Sequence, residues 1–275
     1  MTNRSRVAGV RVRTAALVVS TVFAALGAGC GSTDDEAGPG DGGEGGQDDS
    51  SGVLVREYGD SGEELNVCRA RSDRPGALVV LLHGVTTDAS PKDHPGLMEW
   101  CDRLAGQGLT VAVPNYRPAV EGSPEATDQI AAAVAYVRAH ADELRVAPGP
   151  IGLVGFSAGG QEWVRAASDR RNAPVGALVG MYALVEPSGP PTAGGSLSAM
   201  LRERPVPTLL AVGAQDTAPG IRESFDLFRQ RGRGLAVRVL EHPDAGHAFD
   251  LAPRDARAEE IIGEVDAFLV SELTG

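Results

Sequence analysis

Lysine is almost missing from this chain: Lys92 is the only one in 275 residues, and the net charge is −12. With no basic patch or stripe to neutralise a run of phosphates, nucleic-acid binding is excluded as a function. Long hydrophobic runs are missing too. The main apolar stretch, Ala15 to Leu26, falls short of the roughly 20 residues that a membrane-crossing helix needs. Histidine is scarce, at five, and cysteine scarcer, at three. No grouping of these residues with carboxylates has metal-ligand spacing, so neither a metal nor a cofactor is expected. No internal repeat is present.

What is there begins with an export segment. Residues 1–29 carry Arg4, Arg6, Arg11 and Arg13, then the short apolar run, then small residues leading to Cys30. Positive start, apolar centre and small-residue end describe an export signal. Residues 31–52 hold eight glycines and seven acids and no large apolar side chain. Such a segment cannot bury enough apolar surface to offset its ordering entropy, so 30–52 reads as a flexible tether. The remaining cysteines, Cys68 and Cys101, form an even pair in an exported chain. A disulfide and two buried thiols are both compatible with that pair.

From residue 53 onward, short aliphatic runs alternate with helical periodicity. Strands are expected at Val53–Tyr58, Glu64–Ala70, Ala77–Leu82, Leu109–Pro114, Ile151–Gly155, Val175–Tyr182, Val206–Gly213 and Leu235–Glu241. Ile130, Ala133, Val134, Val137 and Ala141 recur at three and four residues, as do Ile261, Ile262, Val265, Phe268 and Leu269. Strand–helix alternation predicts an α/β fold over 53–275. It consists of a mostly parallel eight-stranded sheet covered on both faces, with the first two strands an antiparallel edge.

Chemistry concentrates after the strands, where open α/β sheets bind their ligands. Gly155-Phe156-Ser157-Ala158-Gly159 spells G-x-S-x-G directly after the run Ile151–Val154. A sharp strand-to-helix turn would hold the Ser157 hydroxyl clear of the backbone, with Gly155 and Gly159 permitting close approach of strand and helix. His247 follows the last strand and is the candidate general base. Asp216 follows the preceding strand and is the candidate partner that orients the imidazole, with Glu186, Asp244 and Asp250 as rivals. An oxyanion would need two backbone N–H donors, expected at Ala158 and at Val85 in the loop after His83-Gly84. His83 reads as a support of that loop. Tyr182 and Trp163 read either as cleft lining or as core.

In these residues the chain resembles the α/β-hydrolase superfamily over essentially all of 53–275. The esterase/lipase and dienelactone-hydrolase-like branches are nearest in Leu82-His83-Gly84, Val113-Pro114-Asn115-Tyr116-Arg117-Pro118, the alanine-rich helix from Asp128, and Gly246-His247-Ala248-Phe249. Many such esterases carry His-Gly-Gly-Gly where this chain has His83-Gly84-Val85-Thr86. Dienelactone hydrolases proper use cysteine where this chain has Ser157. The segment Leu26-Gly27-Ala28-Gly29-Cys30 resembles a bacterial lipobox, which implies lipidation of Cys30 and attachment to a membrane through that lipid alone. About 23 residues separate the strand ending at Tyr182 from the one starting at Val206, leaving room for a small loop and a helix around Ser196–Arg204. An open cleft with a minimal cap is therefore expected. The resemblance implies a serine hydrolase acting on a small-molecule or polymer ester, at the cell surface or secreted. A peptidase or amidase with the same triad, and a non-catalytic surface binding module, are the alternatives.

Overall fold

The computed structural model describes residues 52–275 apart from 60–61, 86–88, 119–122, 173, 190–194 and 252. The expected export signal, Cys30 and nearly all of the tether lie outside the described residues. Eight strands form one sheet: β1 Val53–Tyr58, β2 Glu63–Cys68, β3 Leu78–Leu82, β4 Thr110–Pro114, β5 Ile151–Phe156, β6 Val175–Met181, β7 Thr208–Gly213 and β8 Val237–His242. Their spatial order is β1-β2-β4-β3-β5-β6-β7-β8. β1 and β2 pair antiparallel, β2 pairs antiparallel with β4, and every later pairing is parallel. Every residue of β3, β4, β5 and β7 is buried. That accounts for their unbroken apolar runs, because a strand covered on both faces has no solvent side.

The helices are α1 Pro95–Gly106, α2 Pro124–Ala139, α3 Ala141–Leu144, α4 Gly160–Ser168, α5 Leu197–Glu203, α6 Ile221–Arg231 and α7 Ala256–Thr274. α1 and α7 share one face of the sheet, linked by Arg103 Nε donating to Asp266 Oδ2 at 2.6 Å. α2, α4, α5 and α6 cover the other, each packed on the next.

Several boundaries differ from the sequence expectations, each for a local reason. The alanine-rich helix starts at Pro124 rather than Asp128, because Ser123 caps it by accepting from the Ala126 N–H at 3.0 Å, with proline in the first turn. It ends at Ala139, so Ala141 belongs to the separate turn α3. β6 stops one residue before Tyr182, whose φ of 39° lies in the left-handed region. β7 begins after Pro207, which has no N–H for the ladder. Cys68 and Cys101 are joined as a disulfide that ties β2 to α1. Trp163 is fully buried and donates its indole N–H to the Leu153 carbonyl at 2.9 Å, so it is core rather than cleft.

Candidate active site

Ser157 occupies a 3-10 turn between β5 and α4, with φ of 53°. That conformation costs a non-glycine residue on the order of 1–2 kcal/mol and persists only where its surroundings enforce it. The surroundings are visible. The Ser157 carbonyl accepts from the Leu184 N–H at 2.9 Å. A Cβ on Gly155 would lie 2.7 Å from Trp163, one on Gly159 2.2 Å from the His83 carbonyl oxygen, and one on Gly160 2.4 Å from that of Leu184. Gly84 sits against Ser157 itself, where a Cβ would come within 3.0 Å of the serine's own. Glycine at these positions lets the turn, the exit of β6 and the loop after β3 meet backbone to backbone.

The loops after β7 and β8 are laced together. Ala214 N–H donates to the His242 carbonyl at 2.8 Å and Gln215 N–H to that of Ala245 at 2.9 Å. This registers Asp216 against His247. His247 Nδ1–H donates to Asp216 Oδ2 at 2.8 Å, and the Ser157 hydroxyl donates to His247 Nε2 at 2.9 Å. The other oxygen of Asp216 accepts from the Ala218 N–H at 2.9 Å. Its side chain is fully buried, whereas that of His247 is 30 % exposed. The structure thus brings Ser157, His247 and Asp216 into one hydrogen-bonded chain at the carboxyl ends of three strands. The rivals are engaged elsewhere. Glu186 accepts from Ser196 Oγ and the Ser198 N–H, Asp244 is exposed, and Asp250 accepts from Trp100 and Tyr182.

The loop after β3 is also held from behind. His83 is buried, stacks on Tyr116 with ring centroids 4.2 Å apart, and donates Nδ1–H to the Gly84 carbonyl at 2.9 Å. The Tyr116 hydroxyl donates to the His83 carbonyl. Burial pushes His83 down to about 4. In a trans peptide the N–H points opposite to the carbonyl, so fixing the Gly84 carbonyl on His83 turns the Val85 N–H away from the ring. Val85 itself is 52 % exposed, and Ala158 lies within the turn that carries Ser157. Tyr116 and Trp100 were not identified as site supports from the sequence, and Tyr182 was read only as cleft lining or core. Aromatics distant in sequence carry no local signal of what they will touch. Among the described residues no cluster of three or more potential metal ligands occurs, and no helix is long and apolar enough to cross a membrane.

The fold matches solved structures over most of its length. Esterase 2 of Thermogutta terrifontis superposes with a TM-score of 0.64 at 20 % identity, covering 80 % of this chain and 94 % of that one. The fold is that of the α/β-hydrolases. One form of the T. terrifontis esterase is phosphorylated by paraoxon. A bacterial heroin esterase gives a TM-score of 0.64 at 21 % identity, covering 81 % of this chain and 85 % of that one. An esterase from the fungus Rhizomucor miehei gives 0.62 at 15 %, covering 81 % and 83 %. The BD-FAE family matches residues 67–171, from β2 to just beyond α4, a range that includes the serine turn and the loop after β3. No curated protein matches the chain.

Proposed function

We propose that the protein is a serine hydrolase of carboxylic esters. The observation that carries this reading is the chain of hydrogen bonds from Ser157 through His247 to Asp216, at 2.9 and 2.8 Å. The Ser157 oxygen attacks the ester carbonyl carbon while its proton passes to His247 Nε2. The buried Asp216 carboxylate keeps the other imidazole proton on Nδ1 and stabilises the imidazolium. The Ala158 and Val85 N–H groups stabilise the oxyanion. Collapse of the tetrahedral species breaks the bond to the alkoxy group, which leaves with the proton from His247. Water, deprotonated by the same imidazole, then releases the acid and frees Ser157.

The esterase names of the structural neighbours support esters over amides. Among the described residues only the short helix α5 stands between β6 and β7, and His247 is partly exposed. Both features favour short acyl groups or an accessible polymer over long chains held beneath a cap. The Arg-rich, apolar start, Cys30 and the Gly/Asp-rich stretch support an exported enzyme tethered to a membrane by an N-terminal lipid. Turnover of p-nitrophenyl esters from acetate to octanoate tests the activity. Activity should fall with chain length and vanish in Ser157→Ala, and full activity in that variant would remove the mechanism. Release of the protein from membranes on Cys30→Ser tests the anchor.

A further inference from the structure

Two hydrogen bonds occupy both nitrogens of His247, but neither fixes the tilt of the ring about the line joining its partners. Tyr182 supplies that restraint. Its ring lies 4.7 Å from the imidazole between centroids, with the planes inclined by 64°. Tyr182 is buried with its backbone in the left-handed region, and its N–H is pinned to the Ala211 carbonyl at 2.7 Å. Its hydroxyl donates to Asp250 Oδ1 at 2.7 Å, and Trp100 Nε1–H donates to Asp250 Oδ2 at 2.7 Å. Asp250 is three residues beyond His247 and fully buried.

A buried carboxylate is costly unless charge partners compensate it. Here the side-chain donors bonded to the carboxylate are an indole and a phenol, both neutral. Arg254 is close, but its Nε donates to the Asp250 backbone carbonyl, and its guanidinium pairs with Glu99 and Glu259. Packing alone gives no reason to keep an acid between Trp100 and Tyr182. Its position behind the histidine does.

We propose that Asp250 and Tyr182 are positioning residues that support the positively charged form of His247, the acid acting through the tyrosine ring. The proposal rests on the ester-hydrolase reading. When His247 takes the serine proton, its new charge lies within cation–π range of the Tyr182 ring. A phenol donating to a carboxylate shifts electron density into its ring, which strengthens that attraction, and the fixed hydroxyl holds the ring in place. No proton moves between Asp250 and His247. The groups facing His247 are Ser157, Asp216 and Tyr182. Those facing Asp250 are Tyr182, Trp100 and Arg254.

Two variants separate charge from packing. Asp250→Asn keeps an oxygen for Trp100 and an amide N–H for the Tyr182 hydroxyl while removing the charge. Tyr182→Phe keeps the ring and cuts its link to the acid. The measurement is kcat and KM for p-nitrophenyl acetate from pH 5 to 9 on the full chain, with folding checked by circular dichroism. Both variants should lose roughly threefold to thirtyfold in kcat, with KM nearly unchanged. The acid limb of kcat/KM should move to lower pH by roughly half a unit. A purely structural role would lower thermal stability without moving that limb. Either folded variant with the wild-type limb and kcat overturns the proposal. A wild-type protein no more active than Ser157→Ala would overturn the hydrolase reading and this proposal with it, a result distinct from an active enzyme with an unmoved limb.

Discussion

Replacing Gly159 by alanine adds one methyl group, and the structure specifies what it would meet. The new Cβ would lie 2.2 Å from the His83 carbonyl oxygen, 2.8 Å from its carbon and 3.0 Å from the Leu82 oxygen. All three are backbone atoms, so no side chain can swing aside. Reaching an ordinary contact of about 3.4 Å requires the serine turn and the loop after β3 to part by about 1.2 Å. Gly159 has φ of −62°, which alanine adopts freely, so the effect is steric and not conformational. Overpacking of this kind costs about 1–3 kcal/mol. For a domain of this size that lowers Tm by roughly 2–12 °C. The same displacement separates the two expected oxyanion donors, one on each side of the contact. A misplacement of about 1 Å costs on the order of a hundredfold in kcat. Thermal melts and p-nitrophenyl acetate kinetics read both effects. Gly263→Ala is the control: it sits inside α7 with nothing within 4 Å of the added carbon. It should raise stability by about 0.4–1 kcal/mol and leave kcat alone. A Gly159→Ala protein with wild-type Tm and kcat would refute the account of how the turn and loop are held.

Other consequences follow from single contacts. Asp216→Asn presents an amide N–H to His247 Nδ1, driving the imidazole to the tautomer that cannot accept from Ser157, so kcat should drop by roughly 10³–10⁴ with little change in KM; a drop under tenfold would move the acid role elsewhere. The Cys68–Cys101 bond closes a loop that persists in the unfolded chain, and removing it frees that chain. With the cysteines 33 positions apart in sequence, Cys68→Ala/Cys101→Ala should lose about 3–4 kcal/mol in urea titrations run against the oxidised protein; equal midpoints would contradict it. His83 concerns pH. An ordinary histidine titrates near 6.5, and burial holds this one down at about 4, so the unfolded chain takes up the proton first as pH falls. Its contribution is therefore intact above about pH 6.5, and up to about 3 kcal/mol is lost by pH 4. His83→Asn should flatten that part of the stability curve, and an unchanged slope between pH 6.5 and 4 would refute the assignment.

The sheet was legible because its central strands are buried on both faces, so each appears as an uninterrupted aliphatic run bounded by turn residues. Errors fell at ends decided by tertiary contacts or caps. Tyr182 looks like one more strand residue until its left-handed backbone and its bond to Asp250 are known. The helix from Pro124 carried its start signal in Ser123-Pro124-Glu125, which the alanine run further on obscured. Ser157 and His247 could be located by motif and strand order alone. Asp216 was the candidate acid by strand order, but sequence left Glu186, Asp244 and Asp250 as rivals, since all four follow late strands. What separates them is the lacing of the β7 and β8 loops, a long-range backbone contact. The same limit hid Trp100 and Tyr116, which reach the site from 150 and 33 residues away along the chain.

The most direct test of the central claim is to treat the protein with a fluorophosphonate and locate the adduct by mass spectrometry. A triad built on Ser157 should give one stoichiometric adduct on that residue, formed quickly in the wild type and far more slowly in His247→Ala. A folded protein that stays unlabelled, or that carries the label on another residue, would contradict it.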